Sequence, residues 1–191
     1  KEDDKFKEIR QKYIKYIEDL FTLARIENAA QKANSIMELE TKIAQAHWTN
    51  VENRDRDKTY NKYNTIDFEK ETSNFKWQKY LKDAMVNENN EIVVYQPSYF
   101  RTLGKLFQKE SVDTWKTYFT YYLLSDLAPR LNKDFVDLNF EFFSKTLRGI
   151  EKNRPRWKRA VSATEGSLGE VVGQVYVKKH FKPEAKARMV E

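Results

Sequence analysis

Apolar side chains recur in this chain at steps of three and four residues over one stretch after another, and that spacing commits it to helices. Phe6, Ile9, Tyr13, Ile17, Leu20 and Ala24 fall on one face of a first helix, with lysines and acids opposite. Ile36, Leu39, Ile43 and Ala46 form the stripe of a second helix from about Glu27 to Trp48, in which Glu38 and Lys42 make a favourable i,i+4 pair. The two are expected to fold as an antiparallel hairpin. Only five glycines and four prolines interrupt 191 residues, and a 40% hydrophobic, 14% aromatic composition can fill a sizeable core. The expected fold class is mainly α, an irregular multi-helix bundle with at most one or two short strands, forming a single lobe over residues 1–191. No period of 20 to 50 residues recurs, which argues against a helical repeat solenoid.

Further along, residues 50–74 are dense in Asn, Asp and Thr, with apolar side chains too scattered for a long helix, so short turns are expected. A helix over 75–86 carries Trp77 and Leu81, and Asn87 to Asn90 read as a turn. Ile92-Val-Val-Tyr95 is the single convincing β-type run, closed by Pro97. Such a strand needs a partner, from this chain or beyond it, or lies extended against helices. Ser111 is placed as the N-cap of a helix carrying Val112, Trp115, Phe119 and Tyr122 until Pro129 stops it. The next helix carries Phe135, Leu138 and Phe142 and ends at Gly149. Pro155 suits the first turn of a short helix, with Trp157 and Val161 facing inward and Gly166 closing it. Ser167-Leu-Gly-Glu170 then spells a capping box.

Charge narrows the function classes. The net charge of +6 sits at one end: residues 1–150 hold 25 basic and 24 acidic side chains, residues 151–191 hold 10 and 5. A nucleic-acid binder needs a basic stripe that tracks phosphates, whereas most charges here alternate in sign, as on solvated helix faces. Arg154, Arg156, Lys158 and Arg159 around Trp157 make a footprint of six residues, better suited to pairing with carboxylates or covering a partner surface. Nucleic acid is therefore not expected as a partner. There are no cysteines, which removes disulfides and thiolate metal sites, and no apolar run of about 18 residues to cross a bilayer.

Histidine supply limits the chemistry most. A catalytic zinc needs about three protein ligands, usually including histidine. His47 and His180 are the only two histidines, and neither has another three or four residues away. The Asp55 and Asp57 pair sits in a polar segment where carboxylates are ordinarily solvated. No catalytic, cofactor-binding or metal-binding residue is assigned. Gly169 and Gly173 lie four apart on one helix face, where a neighbouring helix can approach closely in a soluble bundle.

An ordered series of short motifs remains. Glu40-x-x-x-Ala44-x-Ala-His-Trp48, Arg54-Asp55-x-x-Lys58-Thr-Tyr-Asn61, Phe75-x-Trp77 and Val93-Val-x-x-Pro97-x-Tyr-Phe100 come first. Trp115-Lys-x-Tyr118, Phe140-x-Phe-Phe143, Leu147-x-Gly149 and Pro155-Arg-Trp-Lys-Arg159 follow. Taken together they resemble the N-terminal helical domain of the neprilysin and endothelin-converting-enzyme family of zinc metallopeptidases. Ala160 stands where animal members carry a cysteine, which suggests a bacterial member.

The resemblance implies a two-lobed zinc metalloendopeptidase in which this lobe faces the catalytic lobe of the same polypeptide and encloses the active-site chamber. The lobe would filter oligopeptide substrates by size, with no catalysis of its own. Zinc would belong to the parent enzyme and none to this chain. The family's His-Glu-x-x-His, its downstream Glu-x-x-x-Asp and its Asn-Ala-Tyr clamp are absent from these 191 residues. The chain opens on Lys1 and stops within what reads as a new helix after Pro183, so a piece of a longer protein is expected. The alternative is a stand-alone helical adaptor or peptide-binding module that uses an exposed apolar patch.

Overall fold

The computed structural model describes residues 3–73, 75–86 and 91–189, apart from the side chains of Pro183 and Lys186. Its chain divides into two compact units, one through Phe143 and the other from Ser144 onward. Helices dominate both, as the periodicity requires. The turn expected at Asn87 to Asn90 lies outside the described residues.

The first unit is built on α1 (Asp4–Leu23) and α2 (Ala29–Ala46), packed as the expected hairpin. Asp3 caps α1 by accepting from the Lys5 N–H at 3.0 Å, and left-handed Arg25 and Asn28 turn the chain between the helices. The buried face of α1 is Tyr16, Ile17, Leu20 and Phe21; Phe6, read as part of the stripe, is 54% exposed because the first turns extend past the bundle. α2 contributes Ala33, Ile36 and Leu39 to the interior. The expected Glu38–Lys42 pair does not form: Lys42 instead reaches Glu110 at 2.7 Å, tying α2 to the chain ahead of the next long helix.

That helix, α7 (Val112–Leu127), starts where Ser111 accepts from the Thr114 N–H at 3.0 Å, and a 3₁₀ turn containing Pro129 follows it. α8 (Lys133–Asn139), capped by Asn132, runs into a wide-turned π-helix over Phe140–Thr146. These elements close the core over α1. Tyr16 stacks on Phe142 with centroids 5.2 Å apart, and its phenol meets Ser125 Oγ at 2.9 Å and accepts from Asn139 Nδ2 at 3.3 Å. A buried phenol is thereby fully partnered, as an interior polar group must be.

Between α2 and α7 the polar stretch carries more order than its composition suggested. Asp55 caps α3 (Arg56–Thr59), and β1 (Asn61–Asn64) pairs antiparallel with β2 (Glu91–Val94), Asn61 opposite Val94. The partner strand is thus Asn-Lys-Tyr-Asn, which no β-propensity scale would pick out. Asn64 then caps α4 (Thr65–Glu71), and α5 (Trp77–Asp83) follows. Pro97, read as closing the strand, occupies the first turn of α6 (Pro97–Lys109), where its missing N–H costs nothing.

A second cluster of rings fills this region: Phe68 lies 5.4 Å from Trp77 and 5.7 Å from Phe100, and Phe107 stacks on Trp115 at 4.2 Å. Thr72 is its polar pivot, donating to the Phe68 carbonyl at 2.6 Å while accepting from Trp77 Nε1 at 2.8 Å. Gly104 lets α6 approach that point, since a Cβ there would stand 2.4 Å from the Thr72 carbonyl oxygen.

The second unit contains α9 (Arg156–His180) and α10 (Pro183–Arg188). Gly149 at φ 68° ends the preceding helical segment, as its sequence position suggested. One expectation fails here: Trp157 and Val161 are 64% and 48% exposed rather than inward. The break expected at Gly166 falls two residues on, at Leu168, whose φ of −129° and ψ of 27° separate two helices within Arg156–His180.

Gly104→Ala is expected to lower stability by about 1–3 kcal/mol, the cost of forcing backbone apart in a packed core, in a urea unfolding curve. An unchanged midpoint would mean that α6 can shift without loss.

Candidate functional site

Most motif residues prove to be devices that build the fold. Asp55 spends its carboxylate on the Asp57 and Lys58 N–H groups at 3.1 Å. Asn61 Nδ2 donates to the Lys58 carbonyl at 2.6 Å and the Val94 carbonyl at 3.1 Å, pinning α3 to the sheet. Trp48 donates through Nε1 to Ser98 Oγ at 2.6 Å and through its backbone N–H to Gln96 Oε1 at 2.9 Å. The ring of His47 stacks on Tyr99 at 4.1 Å, which joins the end of α2 to the start of α6.

Glu40 has the most unusual setting. Its Oε1 accepts from Tyr13 Oη of α1 at 3.0 Å and from Tyr122 Oη of α7 at 3.2 Å, so one carboxyl ties three helices together. Burial raises its pKa above the ordinary 4.5, while the two phenol hydrogen bonds pull the other way. Burial likewise pushes the Tyr13, Tyr118 and Tyr121 phenols up. The site is a structural junction with no reacting partner in reach. Sequence reading singled out Glu40 as a motif residue, but Tyr13 and Tyr122, which donate to it, read there only as helix-face residues.

For metal chemistry the arrangement offers nothing: among the described residues no group of three His, Cys, Asp or Glu side chains converges. His180 lies 5.0 Å from Tyr176 on α9. The donor set does not fit a catalytic zinc.

What the second unit does present is surface. α9 buries none of its residues. Leu168, Val171, Val172, Val175 and Tyr176 line a shallow concavity on it, with Lys179 and His180 at one end. Exposures of 38% to 64% along these five residues are high for so large an apolar group. Gly169 and Gly173 stand open, with nothing within 4 Å of an added Cβ. The six-residue basic run at the start of α9 is also exposed in large part, and Lys158 Nζ lies 5.3 Å from the centre of the Trp157 ring. This apolar face is the candidate functional surface, and it is a packing surface rather than a reaction centre. No described helix is long and apolar enough to cross a membrane.

Comparison with known proteins gives this geometry a context. The sequence profile of peptidase family M13 matches residues 1–191. Mouse neprilysin is 26% identical over 165 residues, covering 80% of this chain and 22% of its own length. Rat endothelin-converting enzyme 1 is 28% identical over 156 residues, covering 79% of this chain and 20% of its own. The zinc metalloprotease Zmp1 of Mycobacterium tuberculosis in its open state superposes with a TM-score of 0.85 at 35% identity, over 98% of this chain and 30% of that one. Its inhibitor complex gives 0.84 at 33% identity, over 98% and 29%. The chain therefore spans less than a third of these relatives.

Glu40→Gln isolates the carboxyl at the three-helix junction, because the amide oxygen still accepts from both phenols. An acid whose folded pKa is raised contributes stability that is present below its unfolded value and lost as pH rises through the folded one. The variant is thus expected to melt higher than the wild type at pH 7.5, with the gap closing as pH falls toward 4.5. Thermal melts across that range check it; a gap independent of pH would contradict it.

Proposed function

The chain belongs to peptidase family M13, and from that premise we propose that residues 1–191 form the helical covering lobe of a neprilysin-like zinc metalloendopeptidase that cleaves oligopeptides. The observation that carries this reading is the match to Zmp1, which runs over 98% of this chain at 35% identity while taking up 30% of the larger protein. A lobe of that kind has a defined job. It encloses the active-site chamber opposite a catalytic lobe of the same polypeptide, admits short flexible peptides and keeps folded proteins out.

Two physical features support it. The aromatic clusters and caps of the first unit make a well-packed body, in which motif residues such as Asn61, Trp77 and Phe142 hold helices and strands in place. The exposed face of α9 supplies apolar area for packing against the remainder of the larger enzyme. Peptide hydrolysis itself is assigned to no residue here.

That same exposed face is what a stand-alone adaptor or peptide-binding module would use, and it is the one observation favouring this second reading. The adaptor leaves the full-length family match without a reason.

The purified 191-residue chain is expected to retain no zinc after dialysis and to leave fluorogenic oligopeptides uncut; chelator-sensitive cleavage by the pure chain would overturn the covering-lobe reading. Translating the gene beyond the Glu191 codon separates the two readings. A downstream His-Glu-x-x-His with a later Glu-x-x-x-Asp supports the peptidase, and a stop codon close behind leaves the adaptor.

The size filter has its own check in the complete enzyme. It should hydrolyse a free decapeptide at least a hundredfold faster than the same sequence placed in a loop of a stable folded protein, and equal rates would contradict a closed chamber.

A further inference from the structure

From the break at Leu168 onward, α9 carries one continuous seam. Leu168, Val172, Val175 and Lys179 follow one another at steps of four, three and four, with Val171 and Tyr176 on the flanks. That alternation belongs to a helix that packs along a second helix at a crossing angle of about 20°. The seam runs for three turns, about 16 Å. Val171, Val175 and Tyr176 are each more than half exposed, and α10 of the same unit has six residues, too few to cover them.

Charge marks one end. Lys178, Lys179 and Lys182 gather where the seam stops, and among the described residues none of them pairs with a carboxylate. The seam itself holds no acidic side chain. A second copy laid antiparallel would therefore set Lys179 against Leu168, and one laid parallel would set Lys179 against itself.

We propose that this seam receives an amphipathic helix of the same polypeptide from beyond residue 191, whose apolar stripe covers the three turns and whose acidic side chains meet Lys178, Lys179 and Lys182. The inference rests on the peptidase reading, which calls for a longer polypeptide. This chain takes up 30% of the Zmp1 chain it superposes on, so a protein of that size has ample sequence to supply the helix. What is added is the kind of element that covers α9, its register and its charge. Apolar burial holds the two helices together. The lysines fix the direction of the partner, because a reversed helix would leave its carboxylates beside Leu168.

Photocrosslinking in the full polypeptide encoded by the gene tests the docking. Benzoylphenylalanine in place of Tyr176, which it resembles in shape, lies on the seam; in place of Val177, 49% exposed, it lies on the other side of the helix. The Tyr176 position is expected to give about tenfold more adduct within a single polypeptide than the Val177 position, since a packed partner is held at high effective concentration. The captured peptide should lie beyond residue 191 and carry Asp or Glu. Should the Tyr176 variant fail to fold, the same label in place of Lys179 repeats the measurement at the end of the seam. An adduct of twice the mass, capture of a peptide from residues 1–143, capture of a segment without acidic residues, or equal yields at the two positions would overturn the docking. A stop codon close behind Glu191 sinks the peptidase reading along with it, whereas a polypeptide that carries His-Glu-x-x-His and still gives one of those outcomes sinks the docking alone.

Discussion

Everything in the first unit leans on one face of α1. Ile17, Leu20 and Phe21 are completely buried, and Tyr16 beside them both stacks on Phe142 and spends its hydroxyl on Ser125 and Asn139. Apolar burial provides most of the drive, at roughly 25 cal/mol per Å² removed from water. It does not by itself choose among ways of packing helices. The directional choice comes from the phenol, whose partners lie 109 and 123 residues further along the chain. A bundle packed in another register would bury that hydroxyl unpaired, and the penalty for an orphaned buried group exceeds the net gain of an ordinary hydrogen bond.

Glu40 works by the same logic at the wetter edge of the bundle. Two phenols converge on a single oxygen, so α1, α2 and α7 are held at fixed rotation about their axes. Burial disfavours the charge on that carboxyl, so the junction gives up some stability near neutral pH for a defined geometry. The ring cluster around Thr72 makes the equivalent arrangement with a neutral group.

Much of the fold was legible because helical periodicity repeats over many residues. The α1–α2 hairpin, the Ser111 cap and the turn at Gly149 each came from local chemistry that tertiary contacts did not override. β1 was hidden because Asn61–Asn64 owes its extended form to pairing and to the Asn61 side chain, not to intrinsic preference. The inward placement of Trp157 and Val161 failed for a different reason. An apolar stripe states that a helix needs a partner, and says nothing about whether that partner lies within the same 191 residues. The motif series identified the family, yet it marked caps, turns and ring contacts rather than reacting groups. Short ordered motifs report whatever a fold cannot do without, and in this chain that is architecture.

The small sheet ties the two ends of a long excursion together. Pairing Asn61–Asn64 with Glu91–Val94 encloses α4 and α5 in a loop whose own side chains, Phe68 and Trp77, supply half of the adjoining ring cluster. Opening those four residue pairs would release the rings, the Thr72 pivot and both short helices at once. Sheet pairing thus sets the order of the whole excursion: amide protection in α4 and α5 is expected to rise and fall with that of the four paired residues, although all of them lie in the same compact unit as α1.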